Sequence, residues 1–314
     1  MNKSMEHGGT TIGDLWGRKA VDWAAYQEGI IARILDEVLA RWGQQGTQYL
    51  DLGCGAGLTA EKASTNGADV WGLGAFEALL DLARSRRPDV NFHLDELEDL
   101  PIGPNQFDVV SGFNAVQYAA SLIKALLEAA RVTTPDGMVY VATWGEPNGT
   151  QATNIIAALR PLLPPPPPPP STPGPFALSN TDVLRPCAKD CGADTTDIID
   201  VEYSWFHPNI QTALKGLSSS GIAAKAITTV GQTAVDEAHV NAIYPHKRAD
   251  GSFRKGARFK VLLAWPSRHL SGAYDISSSK RLSHKYTRQS DLFGCSISVR
   301  QTTHQLRRCH QRQC

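Results

Sequence analysis

The most constraining feature is the stretch Tyr49-Leu50-Asp51-Leu52-Gly53-Cys54-Gly55-Ala56-Gly57-Leu58, where an apolar extended run passes into three glycines at alternate positions. Glycine there permits positive φ and leaves the main chain bare, so backbone amides can approach a ligand with no Cβ between. A strand that ends in such a turn and restarts as a helix belongs to an open α/β sheet. A dinucleotide fingerprint needs G-x-G-x-x-G, and here the third glycine comes one residue early, which argues against a nicotinamide cofactor.

The apolar pattern downstream repeats the same unit. Short apolar runs at 47–52, 68–73, 90–94, 107–112 and 137–144 read as strands, and the periods at 58–65, 76–86 and 121–133 read as helices. With 314 residues the chain is long enough for one large core, or a core plus a lid. Residues 1–45 form a helical lead-in, with Trp16, Ala20, Trp23, Ala24 and Gln27 at helical spacing, then Ile30, Ile31, Ile34, Leu35, Val38 and Leu39.

Residues 46–265 carry the main domain, with its core at 46–145. Seven consecutive prolines, Pro164 to Pro170, mark a stiff connector over 161–175. Residues 176–265 then supply a helix near 179–192, broken by Pro186, an extended run at 195–206, helices over 209–244 and a final strand at 257–265. From 266 to 314 the chain is rich in Ser, Arg, His and Gln with no periodic apolar face, which predicts a disordered basic tail.

The glycine turn resembles motif I of the class I S-adenosylmethionine-dependent methyltransferases, in the form D-x-G-x-G-x-G. The likeness continues in register. Gly74-Ala75-Phe76-Glu77 stands where that family reads G-x-D-x. Asp95-Glu96-Leu97-Glu98-Asp99-Leu100-Pro101 is similar to its G-D-A-x-x-L-P, and Gln106-Phe107-Asp108-Val109-Val110 to its F-D-x-V. Glu128-Ala129-Ala130-Arg131-Val132 parallels E-x-x-R-V before the fifth strand. Together these segments resemble the ubiquinone/menaquinone-biosynthesis-type branch.

The resemblance implies a Rossmann-like, doubly wound, mostly parallel seven-stranded sheet with helical lid insertions, an S-adenosyl-L-methionine cofactor and methyl transfer to a small molecule. It implies cofactor contacts at Asp51, Gly53, Cys54, Gly55, Gly57, Gly74, Ala75, Glu96, Leu97 and Phe113. Asp51 would orient the ammonium end of the cofactor. Glu96 reads either as acceptor for the adenine amino group or as one solvated acid among Asp95, Glu98 and Asp99.

Gly74 departs from the family pattern, because an Asp or Glu normally meets the two ribose hydroxyls there; Glu77, one helical turn on, reads either as a substitute that reaches the ribose or as an ordinary first-turn helix acid. Loss of a charged hydrogen bond of about 1.5 to 3 kcal/mol would weaken cofactor binding roughly tenfold to a hundredfold. Asp136, in place of the first Gly of a turn, is expected to adopt a left-handed backbone.

For the acceptor, ligands in α/β sheets lie at the carboxyl ends of the strands. Trp23, Tyr26, Asn114, Gln117, Tyr118 and Trp144 are the expected pocket wall, joined by Trp16 and Trp205, and this aromatic content favours an apolar or aromatic molecule. A sulfonium methyl is already activated, so positioning carries most of the barrier reduction and no catalytic residue is assigned. If a base is needed, His207, His93 and Tyr118 are the candidates, with His93 expected inside a strand as a packed imidazole.

Basic and acidic residues number 31 each, and the pI is near 7.1, so nothing global favours nucleic acid or an anionic membrane. The six cysteines include no C-x2-C pair, so no metal site is expected and the thiols read as reduced. With no apolar run at the start and none long enough to span a bilayer, the chain reads as cytoplasmic, without membrane insertion. A binding or regulatory protein that keeps the fold but has lost turnover is the competing reading, motivated by Gly74, the proline run and the basic tail.

Overall fold

A computed structural model describes residues 19–151, 153–165, 175–182, 184–185 and 193–266. The basic tail beyond 266, Trp16, Pro166–Pro170 and Pro186 lie outside the described residues.

The lead-in forms α1 (Ala20–Tyr26), a 3-10 turn (Glu28–Ile31) and α2 (Ala32–Trp42). Ile34, Leu35, Val38 and Leu39 make one apolar stripe along α2 and are buried, as their 3–4 spacing requires. There follow β1 (Gln48–Leu52), α3 (Leu58–Thr65), β2 (Asp69–Gly74), α4 (Glu77–Arg86), β3 (Asn91–Leu94) and β4 (Phe107–Phe113). Next come α5 (Leu122–Val132), β5 (Thr133–Trp144) and α6 (Thr153–Leu159). Last are β6 (Ala193–His207), α7 (Ile210–Leu217), α8 (Gly221–Val230), α9 (Gln232–Ile243) and β7 (Phe253–Pro266).

These strands form one seven-stranded sheet in the order β3-β2-β1-β4-β5-β7-β6. β1 pairs in parallel with β2 and β4, and β4 with β5, while β7 runs antiparallel to both β5 and β6. The central strands have core on both faces, which is why Leu50, Leu52, Val109, Val110, Val139 and Val141 read as near-continuous apolar runs. α5 begins where the Ser121 hydroxyl accepts a hydrogen bond from the Lys124 amide, and it buries Ala125, Leu126, Ala129 and Val132.

Two consequences of this topology position the site. Strand order reverses between β1 and β4, and the crevice at the carboxyl ends of those strands is where an open α/β sheet takes its ligand. β6 and β7 extend past the end of β5, since Trp144 pairs with Phe259 while His207 pairs with Phe253. Helices α7 to α9, inserted between β6 and β7, therefore join the same end of the sheet.

The structure corrects two expectations. β5 starts at Thr133, because Thr133 pairs with Phe107 across a register shift; Asp136 lies within that strand, and is not among the residues with positive φ. His93 is exposed, because β3 is the sheet edge, and it stacks on Trp71 with ring centroids 5.0 Å apart.

Candidate active site

The glycine turn follows β1 directly. Gly53, Gly55 and Gly57 have φ of 71°, 55° and 88°, values that L side chains rarely adopt. Their surroundings separate them. A Cβ on Gly53 would collide with Ala115, and one on Gly57 would stand 2.9 Å from Ala83, so packing alone requires those two glycines. Gly55 differs, since a Cβ there would stand only in ordinary contact, 3.7 Å from Glu28 Oε1 and 4.0 Å from Trp23 Nε1.

The turn spends several of its own amides on structure. Gly53 and Cys54 both donate to the Leu73 carbonyl, at 2.7 and 2.9 Å, and Gly57 donates to that of Cys54. Glu28, 7% exposed, accepts from the Leu58 amide at 3.3 Å and so caps the amino end of α3. Its other oxygen pairs with Arg86 at 2.9 Å. Burial raises the Glu28 carboxyl, and Arg86 partly offsets that.

Asp51, the last-but-one residue of β1, is 1% exposed. Ser111, its register partner on β4, donates to Oδ1 at 3.2 Å. Oδ2 has no hydrogen-bond partner among the described residues. Burial pushes this carboxyl up to about 7, against the lowering effect of the Ser111 and Thr59 hydroxyls and with some help from Glu28. A buried carboxylate oxygen with nothing to accept from is costly, and a ligand cation or N–H would relieve it.

Gly74 closes β2, and its carbonyl accepts from the Asp95 amide at 3.1 Å, which sets the corner into the loop after β3. A Cβ here would meet Leu80 Cδ2 at 3.2 Å and Cys54 Sγ at 3.5 Å. Glu77 does not turn toward this corner; it pairs with Arg84 at 2.6 Å on the exposed face of α4. Ala75 and Glu96 are exposed and Leu97 is half-buried. Phe113 is buried at the end of β4, tilted against Tyr140 at 5.6 Å.

After β4 the chain turns through Asn114, with φ of 54°, into a 3-10 turn at Val116–Tyr118. Gln117 is buried and donates to Asn114 Oδ1. Burial pushes the Tyr118 phenol up to about 12, with the Trp144 side chain partly offsetting it, so Tyr118 remains protonated and is a donor, not a base. Trp144 sits in an aromatic cluster, 4.9 Å from Phe259, 5.5 Å from Trp205 and 6.5 Å from Phe176. Tyr26 stands apart from the expected wall: 36% exposed, it packs Cβ on Gly216 while Lys215 lies over its ring. Burial lowers His207 to about 4, so its imidazole is neutral at physiological pH.

Sequence reasoning missed Glu28, Ser111 and Lys255. Each carried a signal, a polar residue on an inward-facing position: Glu28 within the apolar period of the lead-in, Lys255 in the alternation Phe253-x-Lys255-x-Ala257-x-Phe259. An open groove between α1 and α4, lined by Lys19, Asp22, Asp81 and Leu82 among others, contains no residue of the glycine turn.

Six strands in one direction and a reversed seventh, ordered 3-2-1-4-5-7-6, with a glycine turn and a buried acid at the switch point, define a Rossmann-like class I methyltransferase fold. Residues 50–141 match the family described as methyltransferase domain. A ubiquinone biosynthesis O-methyltransferase of Mesorhizobium japonicum is 29% identical over 125 residues, which is 36% of this chain and 50% of that protein. A demethylmenaquinone methyltransferase of Renibacterium salmoninarum is 33% identical over 102 residues, 32% of this chain and 43% of that protein. The chain thus spans about half the length, or less, of these curated relatives.

Among solved structures, a chain from the complex of the Haloferax volcanii Trm112 methyltransferase activator with a methyltransferase superposes with a TM-score of 0.53. It has 19% identity and covers 83% of this chain and 100% of that one. Phosphoethanolamine N-methyltransferase 2 of Haemonchus contortus gives 0.52 at 18% identity, covering 83% of this chain and 61% of that one. No helix among the described residues is long and apolar enough to cross a membrane.

Proposed function

We propose that the chain is an S-adenosyl-L-methionine-dependent methyltransferase acting on a small molecule, with its catalytic unit within residues 46–265 and the lead-in closing over it. The observation that carries this reading is Asp51 Oδ2, a buried acceptor with no partner among the described residues, beside a left-handed Gly55 at the topological switch point. The family matched by residues 50–141 and the two relatives named as methyltransferases support it.

The residues present fit the cofactor. Asp51 would hold its ammonium group, Gly55 would lie beneath its amino-acid portion, and the loop at Glu96-Leu97 would flank the adenine. When bound, the cofactor supplies an activated methyl on a sulfonium. The rest falls to the chain: Gln117, Tyr118 and Trp144 orient the acceptor, the buried aromatic cluster excludes water, and alignment of this kind lowers a barrier by roughly 7 to 11 kcal/mol. Where the acceptor is a hydroxyl, His207, a neutral imidazole on the same face of β6 as Trp205, would take its proton.

A second reading, a methyltransferase-like binding protein with little turnover, draws on Gly74 and on the pairing of Glu77 with Arg84, which leave the ribose position without an acid. Calorimetric titration of the full chain with S-adenosylhomocysteine tests the first reading, which expects saturable heat at micromolar to sub-millimolar ligand. No heat at millimolar ligand would reject it, and binding without methyl transfer to any of a panel of small aromatic acceptors would favour the second.

A further inference from the structure

The other half of the carboxyl-end surface holds a set of buried polar groups that the cofactor reading does not use. Lys255 is 1% exposed, and its Nζ has no hydrogen-bond partner among the described residues. Directly across the β6–β7 ladder stands Trp205, 8% exposed, whose indole N–H is likewise unpartnered. His239 on α9 is fully buried; Ser218 engages its Nδ1 at 3.3 Å, and Nε2 has no partner among the described residues. His207 Nε2, on the same face of β6 as Trp205, is a fourth such atom.

These atoms belong to one neighbourhood. Lys255 is close enough to disfavour the protonated forms of both His239 and His246. Trp205 lies edge-on to Trp144, 5.5 Å away, which ties the group to the end of β5. The nearest carboxylate, Asp236, faces His239 from the same helix but accepts from Ser218 and from Gln232. Lys19 adds a further positive charge on that side.

A buried ammonium without a counter-ion is destabilising by several kcal/mol, and the unpartnered Trp205 N–H beside it adds to that. Desolvation is the sole influence acting on Lys255, which lowers it to about 8, so no described carboxylate answers its charge. At neutral pH the lysine therefore remains largely cationic. A donor beside an unanswered cation, against an aromatic wall, has the composition of a site for an aromatic or apolar molecule bearing an acidic group.

We propose that the methyl acceptor carries an anionic group, a carboxylate or a phosphate, held by Lys255 as counter-charge with the Trp205 indole N–H as donor. This rests on the reading of the chain as a small-molecule methyltransferase and names the class of its substrate.

The test uses the full chain and four probes: benzoate and phenyl phosphate, with benzamide and benzyl alcohol as neutral counterparts. Thermal unfolding is followed with each probe, with and without S-adenosylhomocysteine, in the wild type, Lys255→Met, Lys255→Arg and Trp205→Phe. At least one anion is expected to raise the midpoint where its neutral counterpart does not, with affinity falling about tenfold or more in Lys255→Met and being largely kept in Lys255→Arg. Benzoate alone effective would point to a carboxylate, phenyl phosphate alone to a phosphate.

Equal response to anions and neutral probes, or an anion response that survives both Lys255→Met and Trp205→Phe, would overturn the proposal. Should Lys255→Met fail to fold, the Trp205→Phe and Lys255→Arg arms decide it. Calorimetry with S-adenosylhomocysteine is read separately: no heat there with an intact anion response would sink the methyltransferase reading and leave the anion site standing.

Discussion

The two halves of the carboxyl-end region hold unpartnered buried groups of opposite character. Beside the glycine turn, the buried Asp51 carboxyl has an oxygen that accepts from nothing described; beneath α7 and α9, Lys255 and Trp205 are buried donors that give to nothing described. Within an ordinary core, polar groups this deep find each other. Here they are kept apart, with the aromatic cluster of Trp144, Trp205 and Phe259 lying on the donor side. Such separation is what a site for a cation and an anion side by side requires, and it implies that the unliganded protein is less stable than its fold permits.

The largest test strikes the acidic half. Gly55→Val puts a β-branched residue at a φ of 55°, with its Cβ toward Glu28 and Trp23. The backbone strain costs about 1 to 3 kcal/mol, and the side chain enters the volume assigned to the cofactor. Binding of S-adenosylhomocysteine, measured by calorimetry, is expected to fall more than a hundredfold while the far-ultraviolet circular dichroism of the fold persists. Unchanged affinity would remove the glycine turn from the site.

Asp51→Asn separates affinity from stability. A carboxyl at about 7 in the folded chain and near 3.8 unfolded binds its proton more tightly when folded. Its contribution to stability is therefore fullest below pH 4, falls as pH rises from about 4 to 7, and is flat above. That slope, on the order of a few kcal/mol in all, should vanish from denaturant titrations of the Asn variant, which should also be the more stable at pH 8. Cofactor affinity should drop roughly tenfold to a hundredfold. A stability profile with the same slope in both proteins would show that Asp51 does not titrate in this window.

On the basic half, Lys255→Met keeps the length of the stem and deletes the unanswered charge. The unfolding free energy of the unliganded protein, from denaturant titration, should rise by about 1 to 2 kcal/mol at pH 7. Because Lys255 is lowered to about 8 against 10.5 unfolded, its burden on the wild type eases as pH climbs from about 8 to 10.5, so the advantage of Met should shrink over that range. A destabilised Met variant would mean that Lys255 is satisfied, and the contrast between the halves would collapse.

The same contrast explains what the sequence made legible. In the acidic half the chemistry is local: Asp51, Gly53, Gly55 and Gly57 are consecutive in one turn, and Phe113 to Gln117 follow one strand, so spacing alone brings them together. The strand and helix positions across the core were legible too, because apolar runs and periods follow directly from burial on one or both faces. In the basic half, Lys255, Trp205 and His239 come from three elements that meet only once β6 and β7 pair. Nor does period reveal which of several inward aromatics bury fully, as Trp144 does, and which turn outward, as Tyr26 does. Glu28 escaped for a similar reason: its partners Leu58 and Arg86 lie 30 and 58 residues away.

The smallest expected effect concerns the corner between the halves of the motif, where Gly74 replaces the usual acid. Gly74→Asp should be accommodated, because its φ is not left-handed and the atoms nearest a new Cβ are the ends of Leu80 and Cys54 side chains, at 3.2 and 3.5 Å, free to give by a few tenths of an ångström. The cost in stability should then be below about 1.5 kcal/mol. A carboxylate at the end of β2 would face the ribose hydroxyls, and a charged hydrogen bond formed there at a partly solvated site should strengthen S-adenosylhomocysteine binding about threefold to tenfold. The gain should be absent with 5′-deoxy-5′-methylthioadenosine analogues lacking both ribose hydroxyls, which distinguishes a ribose contact from a general electrostatic pull on the cofactor. No gain with the intact ribose would place the cofactor elsewhere than at this corner, and with it the assignment of the acidic half.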